Sequence, residues 1–276
     1  MNREEILNTE LTPGQVLLTY LGQVGFLIRY GGKTMLIDPY LTDYVDRKCS
    51  NERVTWIRNY PAPIAPEALD FVDYVFCTHA HSDHADPETL SVLTRINPQA
   101  KFIVSRAIVD AMVGKGVSRE AVIGIACDEV LELDENITVT AIPSAHEELH
   151  PTGEKNVYAE VGFLLSLGKT KIYHAGDGCP YDGLAERLTG CDIAMLPING
   201  RDYYRTQLCN IIGCFDSREA ILLSREIGVK LLIPTHFDLY SVNGVNPAHF
   251  VDLLHTLNPT QAFHIFAPGE RYIWSR

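Results

Sequence analysis

No apolar run in this chain approaches the ~18 residues that a membrane-spanning helix requires, so no membrane segment is expected. CxxC pairs are also missing. The seven cysteines, Cys49, Cys77, Cys127, Cys179, Cys191, Cys209 and Cys214, are odd in number and scattered, which argues against a disulfide framework and for a reducing, cytoplasmic setting. Positive charge is scarce: 23 Lys and Arg face 35 Asp and Glu, for a formal net charge of −12. An acidic chain repels phosphate backbones, so nucleic acid is not an expected partner, although a local basic pocket remains compatible with a small anion. The opening segment MNREEILNTELTPG is polar and acidic and does not read as a signal peptide. Neither a low-complexity linker nor a short-period repeat divides the chain.

What is present is an ordinary globular composition, 46% hydrophobic and 21% charged, on a chain expected to form one domain over residues 1–276. QVLLTYLG (15–22) and GFLIRY (25–30) read as strands, and Gly31-Gly32 turns the chain into KTMLIDP (33–39) as a hairpin. An irregular stretch, 40–69, carries the prolines of PAPIAP; a loop of this length in a compact domain is usually functional. YVFCTH (74–79) reads as a buried strand, and Asp86-Pro87 starts a helix. KFIVS (101–105), a helix near 106–114 and ITVTAIPS (137–144) follow. GFLLSL (162–167) and TKIYHAG (170–176) form a second hairpin across Gly168-Lys169. DIAMLPI (192–198), SREAILLSREIG (217–228), KLLIPTHF (230–237), PAHFVDLLHTL (247–257) and QAFHIFAPG (261–269) then alternate strand and helix. Such strands would be buried on both faces in an α/β fold of four layers, an αββα sandwich, though periodicity alone supports only α plus β.

Residues 78 to 86, THAHSDHAD, crowd three histidines and two aspartates into nine positions. A packed core has no use for them, but a metal does. On a loop leaving a strand, His79 and His81 can share one ion, while Asp83 and His84 face a second. Imidazole and carboxylate suit Zn²⁺, Fe²⁺ and Mn²⁺, and no cysteine in the run adds a bias toward softer metals. A second ion needs ligands from other strand ends. His146 in IPSAHEE would complete the first site, Asp177 in YHAGDG would bridge the two, and His236 in LIPTHFD would complete the second. Each alone is weak evidence, since a single His after a strand is more often an ordinary surface or core residue; together they sit where α/β sheets gather their sites.

The run His79-Ala80-His81-Ser82-Asp83-His84, then His146, Gly176-Asp177 and His236, resembles the metal motifs of the metallo-β-lactamase superfamily, in the same order and across nearly the whole chain. The resemblance implies the αββα sandwich with a dinuclear site at one edge of the two sheets. Asp177 stands where some β-lactamases of this fold use a cysteine, which points toward the wider hydrolase families rather than antibiotic degradation. TWIRNYPAPIAP, YHAGDG and SREAILLSREIGVKLLIPTHFDLY are similar to the L-ascorbate-6-phosphate lactonase branch, whose members open a phosphorylated sugar lactone and are commonly associated with manganese. This chain is shorter than those lactonases.

The expected chemistry is hydrolysis at two divalent ions, Mn²⁺ or Zn²⁺. Their charge lowers the pKa of a shared water from ~15.7 to about 7, so a metal-bound hydroxide could attack a small anionic lactone. Asp83 and Asp177 are the expected catalytic carboxylates, with Asp83 able to guide a proton. His174, three residues before Asp177, is either a partner behind a ligand or a packed strand residue. The loop PINGRDYYR (197–205) offers Asn199, Arg201, Tyr203 and Arg205 for substrate, since Arg supplies a fork for phosphate or carboxylate; a merely solvated loop is the equal alternative. Trp56 and Arg58 could wall the site, with simple packing favoured. The competing function is a phosphodiesterase or nuclease of the same fold, against which the acidic balance stands. A homo-oligomer is compatible with the sequence.

Overall fold

The computed structural model describes all 276 residues. Its first sheet grows from the N-terminal strands β1 (Val16–Gly22), β2 (Gly25–Tyr30) and β3 (Lys33–Ile37). Gly31 and Gly32 both take positive φ, the backbone a tight hairpin between β2 and β3 requires. Three parallel strands extend this sheet: β4 (Tyr74–Cys77), β5 (Lys101–Ser105) and β6 (Val122–Ile125).

The second sheet begins with the antiparallel strands β7 (Val130–Asp134), β8 (Ile137–Pro143), β9 (Val161–Leu167) and β10 (Thr170–His174). It ends in the parallel pair β11 (Ile193–Pro197) and β12 (Leu231–Thr235). The last strand, β13 (Arg271–Trp274), returns to the first sheet beside β1. The spatial orders are β13-β1-β2-β3-β4-β5-β6 and β12-β11-β10-β9-β8-β7.

The period of two along each strand separates the layers. On β4, Phe76 points between the sheets and packs with Phe26, Phe163, Ile172 and Met195. Its neighbours Val75 and Cys77 face outward, where they meet Leu90 and Leu93 of the helix Pro87–Ile96. On the second sheet Tyr173, Leu196 and Leu232 face outward instead, against Ala220, Ile221, Phe250 and Leu254 of the helices Ser217–Ile227 and Pro247–Leu257. The result is the expected αββα sandwich. No helix is long and apolar enough to cross a membrane.

The helix starts follow their sequence signals. Asp86 caps Pro87–Ile96 by accepting from the Glu88 N–H at 3.0 Å, and its other oxygen accepts from Thr42 Oγ1 at 2.8 Å and from Thr89 Oγ1. That aspartate of the THAHSDHAD run is therefore a cap that ties the 40–69 segment to the helix. Asp216 and Glu219 form a capping box on Ser217–Ile227, which ends on a left-handed Gly228.

Several elements differ from expectation. QAFHIFAPG (261–269) is not a strand. Only Phe263 pairs with Leu232, through one hydrogen bond on either side, before Gly269 turns the chain at positive φ into β13. Strands β6 and β7 lie where none was expected; β7 alternates exposed and half-buried residues, so it carries little apolar signal. The 40–69 loop contains the short helix Tyr44–Lys48 and a single turn at Pro66–Ala68.

Candidate metal centre

The strand ends of both sheets converge on one edge. Asp38 follows β3, His79 follows β4, His146 follows β8, Asp177 follows β10 and His236 follows β12. Their ligand atoms fall into two groups: His79, His81, His146 and Asp177 in one, Asp83, His84 and His236 in the other, each within 4.8 Å. All seven side chains singled out in the sequence are brought together.

Asp177 stands between the groups and turns one oxygen to each. Its Oδ1 is 3.1 Å from His84 Nε2 and 3.5 Å from His236 Nε2. Its Oδ2 is 3.8 Å from His146 Nε2 and 4.0 Å from His79 Nε2. In the first group, His79 Nε2 and His81 Nδ1 approach to 2.9 Å, while the His146 ring is set by the Gly213 carbonyl 3.3 Å from its Nδ1.

Asp38, which the sequence reading passed over, orients the second group. It is fully buried and accepts from the Thr78 N–H at 2.8 Å, from Thr78 Oγ1 at 2.7 Å and from His84 Nδ1 at 2.8 Å. With Nδ1–H committed to Asp38, His84 presents Nε2 to Asp177 Oδ1. That nitrogen and that oxygen are buried and lack any hydrogen-bond partner, as does His236 Nδ1. A ring nitrogen facing a carboxylate oxygen at 3.1 Å is satisfied either by a proton on the nitrogen or by a cation that both ligate. The nitrogen and oxygen donors thus fit divalent ions, with His79, His81, His146 and Asp177 able to hold one and Asp83, His84, His236 and Asp177 the other.

The electrostatics agree. Burial opposes charge on His84, but the carboxylates of Asp177, Asp83 and Asp38 outweigh it and lift its pKa well above the ordinary imidazole value. Burial would raise Asp177, yet His84 and His236 hold it well below the usual carboxylate range. Burial, with His84 and His81 nearby, drives His79 well below the imidazole value and keeps it neutral. The buried carboxylates thus favour positive charge in the second group, which a proton on His84 supplies and a divalent ion would displace.

Gln23 is the other residue not foreseen. Its Nε2 donates to Asp83 Oδ2 at 2.9 Å and lies 3.1 Å from His236 Nε2, while its backbone carbonyl accepts the His236 backbone N–H at 2.7 Å. Four of the eight non-glycine residues with positive φ, Gln23, Asp38, Glu147 and His236, sit around the centre, so backbone strain is concentrated there. Asp38 carried a weak signal, an aspartate closing an apolar strand; Gln23, in a turn of YLGQVGF, carried none.

His174 does not reach the ligands. It lies buried beneath them, its Nε2 2.7 Å from the Val24 carbonyl and its Nδ1 accepting from Gly176 N–H. Gly176 is required by contact as well as by its φ of +58°: a Cβ there would meet Thr78 Oγ1 at 2.7 Å and Thr78 Cβ at 2.8 Å. Gly176→Ala is expected to push the Asp177 loop off Thr78 and cost about 2–4 kcal/mol from overpacking and left-handed strain together. Urea unfolding would check it; a cost under about 1 kcal/mol, the scale of an ordinary exposed glycine, would show that the loop yields freely.

The expected substrate residues are the main correction. Asn199 is buried and donates to Asn243 Oδ1 at 3.1 Å. Arg201 is held by Cys179 Sγ at 2.9 Å, the Cys214 carbonyl at 2.7 Å and Glu219. Tyr203 is 73% exposed, and Arg205 is paired with Asp202 at 2.5 Å. None of the four lines the cavity over the metal centre. That cavity, about 440 Å³, has His81, Asp83, His146, Asp177 and His236 at its base. Val45, Val54 and Trp56 from the 40–69 segment line it together with Ile211 and Ile212, Val54 packing with Ile211; no lysine or arginine lines it. Trp56 is a wall residue, whereas Arg58 packs over the Tyr40 ring at 4.7 Å and near Asp46. A larger groove along residues 7–15 and 29–32 holds no group of ligand-type side chains.

Two sheets between helical layers, with histidines and a shared aspartate at one sheet edge, define a metallohydrolase-type scaffold. Residues 33–237 match the family model described as the beta-lactamase superfamily domain, and the chain belongs to that superfamily of metal-dependent hydrolases. It is 28% identical over 255 residues, 92% of its length and 96% of the relative's, to a UPF0173 metal-dependent hydrolase of Caldivirga maquilingensis. Among solved structures it resembles the metallo hydrolase Igni18 of Ignicoccus hospitalis (TM-score 0.70, 22% identity, 95% of this chain and 99% of that one). It also resembles an isothiocyanate hydrolase from Delia radicum gut bacteria (TM-score 0.72, 18% identity, 94% and 100%). At these identities the structural likeness speaks for the fold.

Proposed function

We propose that this protein hydrolyses a small lactone or ester at a pair of divalent ions. The observation that carries the reading is Asp177, whose two oxygens face two separate groups of ligands. When bound, the two ions would acidify a shared water and polarise the carbonyl it attacks. The chain's own contributions follow from its contacts. Asp177 would fix the spacing of the ions, and Asp38 would keep His84 in the tautomer that presents Nε2. Gln23 holds Asp83 by Oδ2, which leaves Asp83 Oδ1 to take the proton of the attacking water at the base of the cavity.

The lining supports a substrate narrower than the phosphorylated lactone of the ascorbate-6-phosphate branch. With no arginine or lysine in the cavity and Val54, Trp56, Ile211 and Ile212 in its walls, an anionic group would have only the ions to pair with. An uncharged lactone or ester with a small apolar body fits the walls better. Phosphodiester hydrolysis is the competing reading for the same ions, and the same lining weighs against it.

Elemental analysis of the purified protein, with assays on an uncharged lactone, a sugar-phosphate lactone and a phosphodiester, tests the proposal. About two metal equivalents and turnover of the uncharged lactone are expected. His81 is exposed, so His81→Ala should stay folded while losing metal and at least about 10³-fold in kcat/KM, several kcal/mol of lost transition-state stabilisation. Turnover confined to the phosphodiester would move the function to the competing reading. Fewer than two equivalents after reloading would refute the paired-ion mechanism.

A further inference from the structure

The motif run contains no cysteine, yet the fold delivers one. Cys214 comes from a segment 37 positions after Asp177 in the chain, and it forms a third triangle with Asp177 and His236, all three ligand atoms within 4.8 Å of one another. Asp177 and His236 already face the second group, so Cys214 adds a sulfur to that side of the centre. Its side chain is buried, 1% exposed. A second observation lies at the same corner: Asp177 Oδ1 is a buried polar atom without a hydrogen-bond partner.

The sulfur is not there by loose packing. The backbone around it is fastened to the loops that carry the ligands. The Gly213 carbonyl faces His146 Nδ1 at 3.3 Å, the Gly213 N–H donates to Glu147 Oε1 at 2.9 Å, and the Phe215 N–H donates to the Gly178 carbonyl at 2.8 Å. Arg201, expected to bind substrate, instead donates to the Cys214 carbonyl at 2.7 Å. Gly213 has no room for a side chain, since a Cβ would meet Arg201 Cγ at 2.0 Å. The position of Cys214 is thus tied to the His146 and Asp177 loops.

We propose that Cys214 is a further ligand to the ion held by Asp83, His84 and His236, and that it makes this position select zinc-like ions over manganese. The inference rests on the paired-ion reading above. On binding, the S–H bond breaks, its proton leaves to solvent, and the sulfur keeps the electron pair that forms the metal bond; nothing is oxidised or reduced. Thiolate favours Zn²⁺ and Co²⁺, whereas an all-oxygen-and-nitrogen position accepts Mn²⁺ more readily.

The full-length protein loaded with Co²⁺ tests this. Wild type should show a sulfur-to-cobalt charge-transfer band in the near ultraviolet, and Cys214→Ser should lack it. The same variant should lose about tenfold or more of the zinc-over-manganese preference at one of two equivalents, no less than the loss of an indirect partner causes. Should Cys214→Ser fail to fold, X-ray absorption of zinc-loaded wild type decides: a sulfur scatterer at about 2.3 Å supports the proposal. Two bound ions with nitrogen and oxygen neighbours only would overturn it and leave the paired-ion reading intact. No binding of Zn²⁺, Co²⁺ or Mn²⁺ at all would overturn both.

Discussion

Asp177→Asn is expected to be the most damaging single change. The amide keeps the size of the carboxylate but not its charge, and each proposed ion would lose the anionic oxygen turned toward it. Loss of several kcal/mol of transition-state stabilisation corresponds to roughly 10³-fold or more in kcat/KM. The second signature is thermodynamic. An ion that binds only the folded chain stabilises it by about 2.7 kcal/mol at a concentration 100 times its Kd. Wild type should therefore gain in Tm when Zn²⁺ or Mn²⁺ is added to metal-free protein, and the variant should gain little. Thermal melts with and without metal, beside elemental analysis, check both. A variant that retains two equivalents and the full metal-induced rise in Tm would remove Asp177 from its bridging role.

Asp38→Ala should rival it, by a different route. Asp38 touches no substrate and faces no cavity; it is buried beneath the centre and satisfies three donors. Truncation strands the Thr78 N–H and hydroxyl and leaves His84 without the partner that sets its tautomer. Removing one member of a buried charged pair costs about 3–5 kcal/mol, and alanine at a φ of +46° adds strain. The informative comparison is Asp38→Asn, since asparagine tolerates positive φ and can still accept from the Thr78 N–H. Its NH₂ would face His84 Nδ1 and drive that ring toward the other tautomer, with the proton on Nε2. Affinity for one ion should then fall about 10–100-fold, with folding largely kept. Metal titrations followed by calorimetry would separate the two effects. Equal affinity in Asp38→Asn and wild type would reduce Asp38 to a structural role.

The two variants probe different layers of one design. On the proposed reading Asp177 would meet the ions directly, whereas Asp38 and Gln23 hold the residues that would. Strained backbone at Gln23, Asp38 and His236 marks the same places, consistent with a centre whose geometry is imposed by the surrounding fold. The apolar residues above it, Val54 and Trp56 from the 40–69 segment and Ile211 and Ile212 from the segment that also carries Cys214, are not themselves ligand-type side chains. Substrate choice can therefore change through those four side chains, whereas the backbone at 213–215 is tied to the His146 and Asp177 loops.

The candidate ligands were legible in the sequence, and the fold brings them together. Metal-binding side chains are costly anywhere else in quantity, so THAHSDHAD stands out locally, and His146, Asp177 and His236 each follow a readable strand. The sheets were legible where apolar period and turn residues agreed, as at Gly31-Gly32 and Gly168-Lys169. They were not legible at β7, half exposed, or at β13, displaced from the apolar stretch QAFHIFAPG that only touches β12. Arg201 and Arg205 looked like substrate residues because an arginine on a loop can point anywhere. Tertiary structure alone decided that one holds the Cys214 carbonyl and the other pairs with Asp202. The roles of Gln23 and Cys214 were invisible for the same reason, and that of Asp38 was only faintly marked. A ligand run is a local pattern, but an orienting hydrogen bond or an added sulfur depends on segments far apart in the chain meeting at one sheet edge, and only the packed fold brings them there.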